Sequence, residues 1–238
     1  MKAFTKILAL TLVLSGCAAT NAPTFNVYVD SISSPVSQEL KRYVLLPNNK
    51  GVTVDDLQFQ EYASYVHRAL SAQSFIKAED IKDANVAIFL GYGIGEPKTN
   101  QYTYSLPTWG KTGVSSSNTY GTVSTYGNTA TVNSTTTYTP TYGVTGSTTH
   151  TGTYTTFTRY MFIDAIDLNE YKKTEKQKQI WKTTVISTGS SGDLRRVVPV
   201  LVAASKPYVA KNTGQKLLIS LKEQDQAVLD VKGILTQQ

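Results

Sequence analysis

Val86-Ala87-Ile88-Phe89-Leu90-Gly91-Tyr92-Gly93-Ile94 is the stretch on which the fold turns. Its first five residues are apolar without alternation, which is the pattern of a strand covered on both faces rather than one half-exposed. Gly91, Gly93 and Gly95 follow at a spacing of two. Alternate glycines strip the side chains from one face of a strand, so a neighbouring backbone or an aromatic ring can pack close against it. The order is not G-x-G-x-x-G, and Pro97 stands where a helix would begin, so the run is not a dinucleotide loop.

Upstream, Phe25, Val27 and Val29 recur at period two and predict a first strand, followed by a loop over Ser31 to Gln38 containing Pro35. Tyr43 to Leu46 predicts a second strand, stopped by Pro47. Thr53 and Asp56 have the spacing of a capping box, and Phe59, Tyr62, Ala63, Val66, Ala69 and Leu70 then fall on one helical face. Downstream, a long strand near Phe157 to Ile166, a basic turn from Lys172 to Lys178 and a strand near Ile180 to Ser187 predict a hairpin. Asp193 then caps a second amphipathic helix with Leu194, Val197, Val198, Leu201, Val202, Tyr208 and Val209 on one side; Pro199 and Pro207 predict a late start or a kink. A strand over Leu217 to Leu221 and a short helix over Ala227 to Leu235 complete the chain. Together these predict an α+β fold: a mainly antiparallel sheet with two amphipathic helices on one face.

The middle of the chain is different. From Thr112 to Thr158 there is no Asp, Glu, Lys or Arg, and Thr, Ser, Gly, Tyr and Asn dominate. This long insertion, at about 97–156, reads either as ribbon-like hairpins or as disordered polymer. Thr-Tyr-Gly occurs at 119–121, 125–127 and 141–143, too irregularly for a solenoid.

The only cysteine, Cys17, closes Leu14-Ser15-Gly16-Cys17 after Lys2, Lys6 and the apolar run Ile7 to Leu14. The run is far shorter than the roughly 20 residues a membrane-crossing helix needs. The pattern resembles the lipobox of bacterial lipoprotein precursors. That resemblance implies a signal peptide over 1–16, lipidation of Cys17, a tether over 17–24, and, because Ala18 rather than Asp follows, an outer-membrane, periplasm-facing location; the length and polar middle of the remainder predict a single domain over 25–238. Phe59-Gln60-Glu61-Tyr62, Ala84 to Pro97, and Asp193-Leu194-Arg195-Arg196 through Tyr208 are in turn similar to an uncharacterised family of Gram-negative envelope lipoproteins, whose domain has no assigned function. This resemblance implies no reaction and no catalytic residues.

The chemistry available is sparse. The formal net charge is +6, and loss of Lys2 and Lys6 with the leader lowers it to +4. That is too little for a nucleic-acid partner. No disulfide is possible within one chain, so the fold of about 220 residues rests on its core. His67 lies at the margin of the first helix's apolar face and reads as structural, while His150 lies in the insertion without ligating company, so no metal or cofactor is expected. Asp164 and Asp167, three apart on a strand, face opposite sides and make a poor acid/base pair. Gly189 to Gly192 precedes a helix start, but Asp193 takes those amides itself. Arg195 and Arg196 in a helix's first turn oppose the macrodipole, so they pair either with Asp193 or a nearby loop carboxylate, or with a partner's anion.

The expectation is therefore a non-enzymatic, lipid-anchored envelope protein that binds an envelope protein or its own copies through the insertion. Its candidate contact residues are Tyr102, Tyr104, Trp109, Tyr120, Tyr126, Tyr138, Tyr142, Arg195 and Arg196. The competing expectation is a peptidoglycan- or polysaccharide-binding module, with the same tyrosines and Trp109 stacking on sugar rings.

Overall fold

In a computed structural model, residues 22–234 are described; Cys17, the leader and Leu235, the last residue of the predicted terminal helix, lie outside them. The elements run β1 (Thr24–Ser33), β2 (Arg42–Pro47), α1 (Leu57–Ser71), β3 (Ile76–Lys77), β4 (Val86–Ile94), β5 (Lys98–Tyr126), β6 (Thr129–Asp167), α2 (Leu168–Thr174), β7 (Gln179–Gly189), α3 (Leu194–Ser205), β8 (Leu217–Lys222) and α4 (Gln226–Lys232). They form two compact units. One holds the described residues up to Ile94, Thr158–Gly189 and those from Asp193 on; the other holds Gly95–Phe157 with Ser190–Gly192.

The first unit, the body, is a mixed α+β domain with strand order β3-β2-β4-β6-β7-β1-β8. The sheet is mostly antiparallel: β1 pairs in that sense with β7 and β8, and β4 with the end of β6 from Arg159 to Asp167. At one side it is parallel, because β2 reaches β4 through α1 and so returns in the same direction, with the two-residue β3 beside it. The turn-joined, antiparallel expectation misses that crossover.

The run Val86 to Leu90 is doubly covered, as its pattern predicts. Val86, Ile88 and Leu90 join the main core with Phe59, Tyr62, Val66 and Leu70 of α1, Val197, Leu201 and Val202 of α3, and Val228 and Val231 of α4. Ala87 and Phe89 turn the other way, into a smaller cluster with Val44, Leu46, Ile166 and Leu168 of α2. Period-two alternation assigns each residue its side. The short terminal helix expected near Ala227, α4, thus joins the two amphipathic helices on that core.

Several local predictions shift for physical reasons. Asp56, not Thr53, caps α1: its carboxylate accepts from the Phe59 amide at 2.9 Å. Asp167 caps α2 through the Glu170 amide at 3.0 Å, so a helix occupies part of the predicted basic turn. The predicted late start of α3 does not occur. It begins at Leu194 and continues through Pro199, which removes one helical hydrogen bond, while every residue from Val197 to Ser205 is buried. Tyr208 lies beyond its end, in a 3₁₀ turn with Pro207.

The second unit contains β5 and the first part of β6, paired antiparallel from Lys98↔Thr156 to Tyr126↔Thr129. Gly127, with φ +61°, makes the turn between them, a conformation that costs glycine nothing. Of the two readings the insertion allowed, the chain adopts the ribbon.

Candidate interaction surface

Three register shifts interrupt the ribbon, between Thr108 and Trp109, Lys111 and Gly113, and Val114 and Ser116. Each places one extra residue in a strand, which is a β-bulge. Their effect on the faces is specific. Between them the ladder alternates two kinds of pair. Trp109↔Val144, Lys111↔Tyr142, Val114↔Pro140 and Ser117↔Tyr138 alternate with Gly110↔Gly143, Gly113↔Thr141 and Ser116↔Thr139. Opposed residues of an antiparallel pair share a face, so Trp109, Val114, Tyr138, Pro140, Tyr142 and Val144 come onto one side. In sequence, Trp109, Lys111, Val114 and Ser117 are not evenly spaced by two. The bulges absorb the odd residues.

Contacts on the opposite face agree with this assignment. A Cβ on Gly110 would stand 3.1 Å from Thr145, one on Gly143 3.1 Å from Thr112, and one on Gly113 3.3 Å from Thr141. Thr112 Oγ1 and Thr141 Oγ1 are 3.2 Å apart. Glycine and threonine thus fill their own face, while the other is left to solvent. Trp109 is 70% exposed, Tyr142 65%, Tyr138 62%, Val144 56% and Val114 55%.

Nearer the start of β5 a different arrangement holds. Tyr102 and Tyr104 stack with ring centroids 5.9 Å apart; Tyr104 stacks on His150 at 5.6 Å and Tyr102 meets Tyr154 at 6.0 Å. Gly152 faces Tyr102 across the ladder, and a Cβ there would lie 2.6 Å from the ring. The tyrosine therefore lies over the glycine, shielding its backbone. His150 stands within this stack. Tyr120 and Tyr126, on the far part of the ribbon, are exposed and lie outside both groups.

The two arginines are engaged within the body. Arg195 Nε donates to Glu61 of α1 at 2.8 Å, and Arg196 Nε to Glu223 after β8. The Asp193 carboxylate accepts from the Arg196 amide at 3.3 Å, as a helix cap. The Arg195–Glu61 pair raises the guanidinium pKa further. Carboxylates from a distant helix and from the segment after β8 thus meet both cations.

His67 is hydrogen-bonded, its Nδ1 2.7 Å from Tyr43 Oη. Burial, and then Lys77, lower its pKa to about 4, and burial raises that of Tyr43. Asp164 and Asp167 are separated by role: Asp167 is a helix cap, whereas Asp164 lines a cavity of about 300 Å³ with Asn48, Phe89, Ile166, Gln177 and Gln179. Burial raises the Asp164 pKa against the pull of Lys182. No cluster of three His, Cys, Asp or Glu suited to a metal occurs among the described residues. Sequence reasoning missed Arg159, which is buried at the start of the body's portion of β6 and donates through Nη2 to Ser187 Oγ at 3.0 Å. Its place in the alternation, one residue beyond the chargeless stretch, resembled an ordinary surface cation.

No family model matches this chain, and no curated protein does. Among solved structures it is similar to a PDZ domain protein from Parabacteroides distasonis, at TM-score 0.36 and 9% identity over 84% of this chain and 40% of that one. The chain thus spans 40% of that protein's length. It is also similar to the PelC dodecamer from Paraburkholderia phytofirmans (TM-score 0.30, 11% identity, 77% and 92% covered) and to a DUF4136 family protein from Bacteroides thetaiotaomicron (0.36, 13%, 79% and 98%). At this level of likeness none of them bears on activity or partner.

Proposed function

We propose that this chain is an envelope lipoprotein, anchored through Cys17 in the outer membrane on its periplasmic side, that acts by binding rather than catalysis, with the ribbon as its contact element. The observation that carries the reading is the sorted face: bulges gather Trp109, Val114, Tyr138, Tyr142 and Val144, with half-buried Pro140 among them, on one side and leave those five in solvent. A contiguous exposed apolar surface on a soluble body marks an interaction site. The anchor rests on the Leu14 to Cys17 tetrad and the outer-membrane placement on Ala18. Two or three acyl chains, at about 0.8 kcal/mol per buried methylene, make such an anchor effectively permanent.

Photocrosslinkers placed at Trp109 and Tyr142 in living cells test the contact role. Crosslinked adducts from these positions, and none from Thr139 on the opposite face, are expected; equal yields from both faces refute it. Cys17→Ser is expected to release the protein from membranes.

A second reading draws support from the Tyr102, Tyr104, Tyr154 and His150 stack, since flat exposed rings accept sugar faces. Saturable retention on purified sacculi at high salt, lost in Tyr102→Ala with Tyr104→Ala, supports glycan binding. Absence of retention removes it.

A further inference from the structure

We infer that the partner of the Trp109–Tyr138 face is the same face of a second copy of this chain, two ribbons mating face to face about a two-fold axis. The inference rests on the contact role proposed above and adds the identity of the partner.

The edges of the ribbon are poor places to join. Three bulges break their regularity, and Pro107 and Pro140 each remove a backbone donor. Bulges and prolines are the devices by which exposed strands avoid edge-to-edge pairing. The face has no such protection.

Its bulk is distributed in a self-complementary way. Along the face the rows read Trp109 with Val144, Tyr142 with Lys111, Val114 with Pro140, and Tyr138 with Ser117. The row of two compact residues, Val114 and Pro140, has a tyrosine row on either side. A two-fold axis lying between the mated faces and running along the ribbon, between its two strands, brings each row of one copy against the same row of the other with the strands exchanged. Tyr142 then meets the partner copy's Lys111, Tyr138 its Ser117 and Trp109 its Val144, so large faces small. An isologous contact needs this self-complementarity.

Charge points the same way. Lys111 is the only ionised side chain on the face, and no acid occurs from Thr112 to Thr158 to answer a charged partner. In the two-fold arrangement Lys111 falls on the partner copy's Tyr142 ring, where a cation is attracted to the aromatic face. The area is also sufficient. Three aromatic and three aliphatic side chains offer on the order of 600 Å² per copy, or about 1,200 Å² for two, the lower bound of a specific interface. A dimer of that size is reversible and depends on local concentration, which anchoring in a membrane raises.

Cysteine crosslinking tests this in the full chain, both in intact cells and purified in micelles, with the parent chain and its single Cys17 as the baseline. Each row lies against its own counterpart, so Val114→Cys, close to the axis, is expected to give a disulfide-linked dimer on mild oxidation. Thr139→Cys, on the opposite face, is expected to give none above baseline. Adding Trp109→Lys and Tyr142→Lys to Val114→Cys is expected to lower the dimer yield at least tenfold, while the thermal unfolding transition is retained. Equal crosslinking from both faces, or a yield insensitive to the two lysines, overturns the inference. So does absence of crosslinking together with a monomer in sedimentation equilibrium. If photocrosslinkers at Trp109 and Tyr142 still capture a different envelope protein in that case, the contact role stands and only the identity of the partner falls.

Discussion

Gly93 in the body and Gly152 in the ribbon do the same thing: each lies beneath a tyrosine ring, Tyr160 and Tyr102 respectively, where a Cβ would come within 2.3 Å and 2.6 Å. What surrounds them differs. Tyr160 is half-buried and packs on Phe162 at 5.3 Å, whereas Tyr102 stays half-exposed among other exposed rings. The body uses aromatic-on-glycine packing within a covered sheet; the ribbon uses it to shield backbone that has little else above it. Burial, not the local motif, decides how much free energy such a device contributes.

The sharpest way to break that comparison is to truncate one large side chain in each region. Leu201→Ala in α3 leaves a cavity in the main core and is expected to cost about 2–5 kcal/mol in urea unfolding. Trp109→Ala is expected to change the same measurement by less than about 0.5 kcal/mol, because the ring is already in water. A large loss from Trp109→Ala would mean that the ribbon is part of the cooperative unit.

The glycines give a second, smaller contrast. Gly93→Ala displaces a packed ring and is expected to cost about 1–3 kcal/mol, while Gly152→Ala lets Tyr102 swing into solvent at a cost within about 0.5 kcal/mol. Thermal melts of the two variants check this directly. Asp56→Ala, which removes the cap of α1, belongs with the body and is expected to cost about 1 kcal/mol.

The body should also respond to pH through His67. His67 stays neutral in the fold down to about pH 4, but takes up its proton near pH 6.5 once unfolded. The unfolded chain therefore binds more protons as pH falls through that window, and stability is complete above it and lost within it. Unfolding at pH 5 is expected to require on the order of 1 kcal/mol less than at pH 7, after allowance for the partial exposure of the ring. His67→Gln should flatten that slope; an unchanged slope would assign it to another group.

Much of the body was legible in the sequence because its signals are local. Phe59 to Leu70 is read by its helical period and Val86 to Leu90 as an unbroken apolar run, and Asp193 announces its helix through a cap that needs only its own next residues. The parallel pairing of β2 with β4 was not legible, since it depends on where α1 carries the chain rather than on any residue in either strand. For Arg195 and Arg196 the sequence offered pairing with a carboxylate of the same chain, but not which one, since Glu61 and Glu223 stand on separate elements.

For the ribbon the division is cleaner. Sequence alone determined that the stretch is chargeless, rich in threonine and tyrosine, and free of helix signals, and so marked it as different in kind from the body. Only the tertiary structure decided that it pairs into two strands, and that Trp109, Val114, Tyr138, Pro140, Tyr142 and Val144 share a face. Face membership in a strand follows parity, and one bulge inverts parity for everything beyond it. Where a bulge falls is settled between two strands, which neither strand's sequence contains by itself.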